Sequence, residues 1–171
     1  MGRRTRRRCR GRGGCAVRSA PITTGRQWML VLEPGEELLE TITDWCVRTG
    51  VTQGTITLLG AFRSVRLIGT HGPLDDEEPP LPDAVDVAYV EGSGSGTITT
   101  VDGSPKPHIH AAVGVKSQGA AAYAGHVLRA EAHYTVEATV TEVVSPTFVL
   151  RPDAEAFGLT SLHFVDGVTQ S

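Results

Sequence analysis

Strict alternation between apolar and polar side chains over residues 135–143 is the feature that most constrains the fold. In the run TVEATVTEV, Val136, Ala138 and Val140 alternate with threonine and glutamate. Because successive side chains of a β-strand point to opposite faces of a sheet, this period predicts a strand with one packed face and one face in water. His133 falls on the polar side of the same period, and we expect its side chain to be exposed to solvent.

The other segments predict a mostly antiparallel sheet and one helix. Apolar residues recur at helical spacing between Pro34-Gly35 and Gly50, and Glu36 and Glu37 suit the positive N-terminal end of such a helix. A short buried strand is expected before it, over residues 28–32. Further strands are predicted over residues 55–59, 65–68, 85–91, 97–101 and 108–115. The predicted class is therefore α+β, with a central, mostly antiparallel sheet and one amphipathic helix packed on it.

The breaks between these strands are rich in glycine or proline. Residues 60–64 predict a hairpin-like or bulged link. The run Gly92-Ser93-Gly94-Ser95-Gly96 lacks the lysine and the following helix of a phosphate-binding loop, and it predicts a hairpin loop. Residues 72–83 combine several prolines with an acidic run, which is typical of an exposed loop.

Charge divides the chain into a basic head and an acidic body. A length of 171 residues suits one domain. Residues 1–20 hold eight arginines and no acid, whereas residues 21–171 hold eight basic and nineteen acidic residues. We expect residues 1–22 to form a disordered Arg/Gly-rich arm, because they offer almost nothing to bury. Any affinity for nucleic acid is expected in this arm, since the body repels polyanions.

Cysteine use and hydropathy favour a cytoplasmic protein. The three cysteines, at positions 9, 15 and 46, form no recognisable disulfide framework. No apolar run approaches the roughly eighteen residues of a membrane span, and no apolar signal segment follows the basic head. Two alternatives for the head stay open: an organellar transit peptide, or an upstream start codon assigned to a chain that begins near Val17 or later.

A histidine pair in the run Pro107-His108-Ile109-His110-Ala111 is the clearest candidate site. Alternate residues of a strand point to the same face about 7 Å apart, so both imidazoles can reach one zinc ion. A turn over residues 116–119 would fold His126 back beside this strand as a third ligand. Three imidazoles and one open position are typical of a catalytic or exchangeable zinc site. The simpler alternative is that His108 and His110 only form hydrogen bonds on a polar sheet face.

Two known classes of histidine site do not fit this segment. A cupin would need a glutamate three or four positions after the second histidine, where this chain has Val113 and Gly114. A histidine-triad hydrolase would need a further histidine at the position of Ala112. Both interpretations are disfavoured.

Five segments in this order resemble the PPC (plant and prokaryote conserved) domain family, whose members occur alone in prokaryotes and fused to AT-hooks in plants. The resemblance covers about residues 26–150. Two positions depart from the family pattern. Ala112 stands where a bulkier apolar residue is usual, and residues 90–94 match the usual Leu-Ser-Leu-x-Gly only in part. These departures leave the detail of the site around the histidines open. The segments that carry the resemblance are LEPGEELL (32–39), LGAF (59–62), PHIHA (107–111), GHVL (125–128) and the closing strand 136–142.

The resemblance implies a fold, an assembly and a metal. It implies an α+β domain over residues 26–151 that forms a homotrimer, followed by a C-terminal extension over residues 152–171. It also implies a metal ion, expected to be zinc, at the equivalents of His108, His110 and His126.

The arm is similar to the plant AT-hook only in part. The core of an AT-hook is Arg-Gly-Arg-Pro, whereas Arg10-Gly11-Arg12-Gly13 lacks the proline. We expect generic binding to DNA phosphates, with at most a weak preference for narrow A·T minor grooves. The candidate residues for these contacts are Arg7, Arg8, Arg10 and Arg12.

Three functions are compatible with these observations. The first is a trimeric DNA-associated protein whose arms bind phosphate. The second is a zinc-dependent enzyme that acts on a small polar substrate. The third is a metal-free trimeric scaffold for partner proteins.

Overall fold

The long alternating run belongs to a sheet of long antiparallel strands. In the computed structural model, residues 17–69, 84–153 and 159–165 are described. The arginines predicted to contact DNA and the predicted loop over residues 72–83 lie outside these ranges. The elements are β1 (Thr23–Leu32), α1 (Leu38–Thr49), β2 (Gly54–Ile68), β3 (Val85–Val101), β4 (Ser104–Val115), β5 (Ala121–Ser145), β6 (Thr147–Pro152) and β7 (Thr160–Val165).

The five long strands form a barrel-like closed sheet. The strand order is β1-β5-β2-β3-β4, and the first part of β5 also pairs with β4. All of these pairings are antiparallel. β5 can border β1, β2 and β4 because it is 25 residues long. The α+β class with a mostly antiparallel sheet is confirmed.

The predicted helix is confirmed at both ends. The Glu37 carboxylate accepts a hydrogen bond from the backbone N–H of Glu40 at 2.8 Å and caps the N-terminus. Its second oxygen accepts from the N–H of Ala130 at 2.8 Å, which ties the helix start to β5. Gly50 ends the helix with φ 72°, a left-handed conformation that glycine adopts without steric cost. Leu38, Ile42 and Cys46 are the side chains that α1 buries against the sheet.

The alternating pattern also places the core as predicted. Val136, Ala138 and Val140 are at most 1% exposed, whereas Thr135 and Glu137 are exposed. The same alternation runs along β4, whose inward side chains are Ile109, Ala111, Val113 and Val115. The core therefore lies inside the closed sheet and under α1.

The expected short buried strand over residues 28–32 is wrong in length and in burial. β1 begins at Thr23, and Leu32 is its only buried residue. It pairs with β5 alone, so it lies at the edge of the sheet. Met29 and Val31 are 67% and 54% exposed, because they point to the outer face of this edge strand.

Two segments that were predicted to connect strands lie within strands instead. Residues 60–64 form no hairpin, because β2 runs through them with irregular pairing to β5, as the bulged alternative predicted. Gly92–Gly96 is not a loop, because β3 runs through it. A Cβ added at Gly94 would lie 2.8 Å from the carbonyl oxygen of His110. The glycines therefore allow β3 and β4 to approach closely instead of making a turn.

His133 is half-buried, so the expectation that its side chain is exposed to solvent is wrong. Three β5 residues, from His133 to Thr135, lie between the pairs Gly60–Val136 and Phe62–Ala132. Because β2 has only Ala61 between the same two pairs, β5 forms a bulge, and the alternation of inward and outward side chains along β5 is interrupted. The Nδ1 atom of His133 is buried without a hydrogen-bond partner among the described residues.

The C-terminal strands form a separate hairpin of β6 and β7. Gln53 joins it to the sheet: its Nε2 donates to the carbonyls of Val143 and Pro146, and its Oε1 accepts from the N–H of Phe148. No helix in the described part of the chain is long and apolar enough to cross a membrane.

Candidate metal centre

β4 presents His108 and His110 on the outside of the sheet. Their side chains are exposed, and the intervening Ile109 is fully buried. This orientation follows from the alternation of a strand, because a buried apolar residue at one position forces its neighbours outward. The two rings therefore lie side by side, with centroids 5.1 Å apart.

The turn after β4 brings His126 beside this pair. A short 3₁₀ helix over Lys116–Gln118 and a left-handed Gly119 reverse the chain. β5 then pairs antiparallel with β4, and His126 stands directly opposite His110. Residues opposite each other in an antiparallel pair project to the same face, so all three imidazoles share one surface. The structure thus brings together the three histidines that the sequence predicted.

The three rings form a compact triangle. The ring of His126 lies 4.8 Å from that of His108 and 5.3 Å from that of His110, measured between centroids. One nitrogen from each side chain can be chosen so that all three atoms lie within 4.8 Å of one another. The Nε2 atoms of His108 and His110 are 3.2 Å apart. Two nitrogens bound to one tetrahedral zinc at about 2.0–2.1 Å are separated by about 3.3 Å. The distance between the Nε2 atoms of His108 and His110 therefore already suits a shared zinc ion.

Burial and mutual charge favour the neutral form of two of these imidazoles. Partial burial lowers the pKa of His108 below its ordinary value of 6.5, and the charges of His110 and Lys106 lower it further. Burial also lowers the pKa of His126, with smaller contributions from His108, His110 and Lys106. A neutral imidazole has a free nitrogen lone pair, which is the form that binds a metal ion. These two side chains are therefore ready to bind a metal at neutral pH.

The β3 residues paired with His108 and His110 are small and uncharged. On β3, Ser95 is paired with His110 and Thr97 with His108. Within the described residues, no carboxylate or thiolate joins the three ligand atoms. An imidazole-only set suits a borderline metal such as zinc better than calcium or magnesium, which prefer oxygen ligands. The donor set therefore fits a zinc-like ion held by three side chains.

Close backbone contacts fix the strands that carry the histidines. A Cβ added at Gly125 would lie 2.5 Å from the carbonyl oxygen of Ile68, and one at Gly94 would lie 2.8 Å from that of His110. Glycine at these two positions lets β2, β3, β4 and β5 approach at the distance the triangle requires. The sequence showed Gly125 next to His126, but the role of Gly94 depends on a strand pairing that the sequence did not reveal.

The remaining histidines with a described position do not join the triangle. His133 packs against Tyr89 and Tyr134, with ring centroids 5.4 Å and 4.3 Å away. His163 lies on β7, where the Arg18 guanidinium is 2.9 Å from its Nε2. Lys106 is a neighbour of the triangle that sequence reasoning did not select, although it lies two residues before His108 on the same strand.

Comparison with known proteins supports the fold and identifies a family. A model of the Plants and Prokaryotes Conserved (PCC) domain matches residues 20–144. None of the curated proteins shows significant similarity to the chain.

Three solved structures are similar in fold. A plant- and prokaryote-conserved (PPC) protein of Pyrococcus horikoshii gives a TM-score of 0.70 at 20% identity and covers 85% of this chain and 97% of its own. A metal-containing protein of Archaeoglobus fulgidus gives 0.68 at 24% identity, covering 86% and 99%. A candidate DNA-binding protein of Bacteroides thetaiotaomicron gives 0.66 at 20% identity, covering 84% and 97%.

Proposed function

This chain belongs to the Plants and Prokaryotes Conserved (PCC) domain family, and on that premise we propose that it is a DNA-associated protein with a three-histidine metal site. The observation that carries the proposal is the triangle of His108, His110 and His126, whose ligand atoms lie within 4.8 Å of one another. The similar structures described as metal-containing and as a candidate DNA-binding protein support its two parts. We propose a cytoplasmic location, because the three cysteines form no recognisable disulfide framework.

Zinc is the metal that we propose for the triangle. Three imidazoles and an exposed face match a zinc site with one open position. A zinc ion would supply positive charge and a Lewis acid at this surface. The protein's part is to hold three nitrogens in place: β4 fixes two of them, and the direct pairing of His126 with His110 fixes the third.

We assign DNA association to the Arg-rich arm. Arg7, Arg8, Arg10 and Arg12 are the proposed contact residues, and the acidic body cannot replace them because it repels phosphate. Arginines that neutralise phosphates release counterions, which gives affinity without sequence specificity. A homotrimer would present three such arms and bind more tightly by avidity.

The homotrimer itself is a proposal that follows from the family resemblance. The described residues offer a suitable surface in edge strand β1, which has one unpaired edge and exposes Met29 and Val31. Exposed strand edges and apolar side chains are typical sites of association. Light scattering should then give a molar mass of roughly 54 kDa, three times the 18.1 kDa of one chain.

A zinc-dependent enzyme acting on a small polar substrate is the less supported alternative. Such chemistry needs a group that moves protons beside the site, most often a histidine or a carboxylate. In the described ranges, the three histidines form the cluster without a carboxylate, and their partners on β3 are Ser95 and Thr97. We therefore assign metal binding and leave catalysis unassigned.

Elemental analysis of the purified protein tests the metal site. We expect about one zinc per chain in the wild type and a loss of most of it in His110→Ala, because two imidazoles hold zinc weakly. His163→Ala is the matched control, since His163 lies on β7 outside the triangle. Substoichiometric metal in the wild type, or equal metal in both variants, would count against the site.

Retention of the protein on immobilised DNA tests the proposed DNA association. Replacing Arg7, Arg8, Arg10 and Arg12 by glutamine should abolish retention at low salt, because it removes the proposed phosphate contacts. His110→Ala should leave retention unchanged, so failure of the metal proposal and failure of the DNA proposal are separable. Retention that survives the arginine substitutions would refute the role of these four arginines.

A further inference from the structure

The β5 bulge opens a groove that has no assigned role. The groove has a volume of about 370 Å³ and is open to solvent. Its lining combines apolar surface with one aromatic ring and two carboxylates. The lining residues are Leu59, Gly60, Ala61, Glu91, Gly92, Tyr134, Thr135 and Glu137.

Among the described residues, the two carboxylates of the groove have no ion-pair partner. Glu91 and Glu137 are both exposed. The four ion pairs found in the described residues use the carboxylates of Asp86, Glu131, Glu142 and Asp153. A pair of unneutralised carboxylates beside apolar surface favours a cationic ligand.

Tyr134 gives the groove an aromatic wall. The bulge turns this residue outward, and its side chain is 65% exposed. The ring packs against the half-buried His133 at 4.3 Å between centroids. An aromatic face attracts a planar cation through its quadrupole, and arginine uses this contact more often than lysine.

These features together match an arginine side chain. The aliphatic stem of arginine packs on apolar surface such as Leu59, while the guanidinium forms bidentate contacts with a carboxylate and stacks on an aromatic ring. Lysine lacks the planar group and the fork of donors. The groove therefore offers the kinds of groups that an arginine side chain binds best.

We propose that this groove binds arginines from residues 1–16 of the same chain. That segment contains seven arginines and no acid, whereas residues 21–171 carry a formal charge of minus eleven. Val31 is paired with Glu137 of the groove and lies fourteen residues after Val17, so this path is at most roughly 50 Å. Sixteen fully extended residues span roughly 55 Å, so the arginines nearest the N-terminus can reach the groove from Val17. The groove and DNA then compete for the same arginines, and the bound arm is held away from DNA until phosphate displaces it.

The native cysteines allow this contact to be measured directly in the full chain. Cys9 and Cys15 lie in the basic segment, and Cys15→Ser leaves one thiol there. Cys46 is fully buried, and burial raises its pKa to about 11, so it resists labelling. A nitroxide attached at Cys9 broadens the NMR signals of nearby methyl groups. Leu59 lies in the groove, and the exposed Val47 of α1 supplies a reference methyl signal.

At low salt we expect the label to broaden the methyl signals of Leu59 much more than those of Val47. The double substitution Glu91→Gln with Glu137→Gln should remove this difference, since it neutralises the groove and leaves its shape unchanged. Asp44→Asn with Asp102→Asn is the matched control, because it removes the same charge from exposed positions outside the groove. High salt should also remove the broadening, because the Debye length falls to about 3 Å at 1 M.

Three results would overturn the proposal. One is no selective broadening of Leu59 in the wild type. Another is broadening that persists when both groove carboxylates are neutralised, and the third is an equal loss in the control variant, which would indicate attraction to net charge alone. DNA is absent from this experiment, so its outcome does not depend on the proposed DNA association.

Discussion

Replacing Gly125 by alanine should weaken metal binding without touching a ligand. The new Cβ would lie 2.5 Å from the carbonyl oxygen of Ile68, about 0.9 Å short of the 3.4 Å at which ordinary contact begins. Because the obstacle is backbone, β5 must move away from β2 by most of this amount. His126 is the next residue and moves with β5, while His108 and His110 stay on β4.

The size of the effect follows from the tolerance of metal bonds. A metal site requires ligand distances within about 0.2 Å of their usual values, so a shift of several tenths of an ångström strains the bond to His126. Disturbing residues that orient metal ligands typically lowers affinity by about 10- to 100-fold, and we expect Gly125→Ala to fall in this range. Crowding of a packed site should also cost about 1–3 kcal/mol of the free energy of unfolding.

Competition titration against a chromophoric zinc chelator measures the affinity, and urea unfolding of the metal-free protein measures the stability. Gly69→Ala is the matched control, because it makes the same chemical change near Ile68 with no atom within 4 Å of the new Cβ. Unchanged zinc affinity in a folded Gly125→Ala protein would refute the claim that this backbone contact positions His126. An equal loss in Gly69→Ala would refute it as well.

Three further predictions concern the ion pair, the helix start and the arm. Hydrogen bonds from Arg26 lower the pKa of Glu142 below its ordinary 4.5. The stabilisation of the fold by this ion pair should therefore be complete above about pH 5 and disappear as the pH falls through the lowered pKa. The free energies of unfolding of the wild type and Glu142→Gln, measured in urea across pH 3–7, should converge at the acid end. Glu37→Ala should cost about 1–2 kcal/mol in urea unfolding, because the helix N-terminus and the N–H of Ala130 both lose an acceptor, whereas Glu37→Gln should cost less. If about four arginines of residues 1–16 contact phosphate, DNA affinity measured by fluorescence anisotropy should fall about 100-fold between 50 and 200 mM salt, and a flat salt dependence would contradict the arm's role.

Local patterns predicted the parts of the fold that depend on local physics. The helix was predictable because Glu37 and Gly50 mark its ends and apolar residues recur between them. The long strand was predictable because Val136, Ala138 and Val140 must share one face. The histidine triangle was predictable in outline, since a reversal of the chain after Val115 brings His126 beside His110 whatever the rest of the sheet does.

Features that depend on a distant partner were not predictable. Glycines 92, 94 and 96 have the composition of a loop, but they serve the close approach of β3 to β4, which is visible only in the pairing. The exposure of β1 depends on its place at the sheet edge, because an apolar run alone suggests burial. The bulge at residues 133–135, which exposes Tyr134 and opens the groove, arises from a mismatch in length between β5 and β2.

X-ray absorption at the zinc edge tests the central claim most directly. In zinc-loaded protein, the spectrum should show three imidazole nitrogens at about 2.0 Å and no sulfur, since the proposed ligands are His108, His110 and His126. His126→Ala should reduce the imidazole count to two. A spectrum with sulfur ligands, or with the same number of imidazoles in both proteins, would show that the ion binds elsewhere.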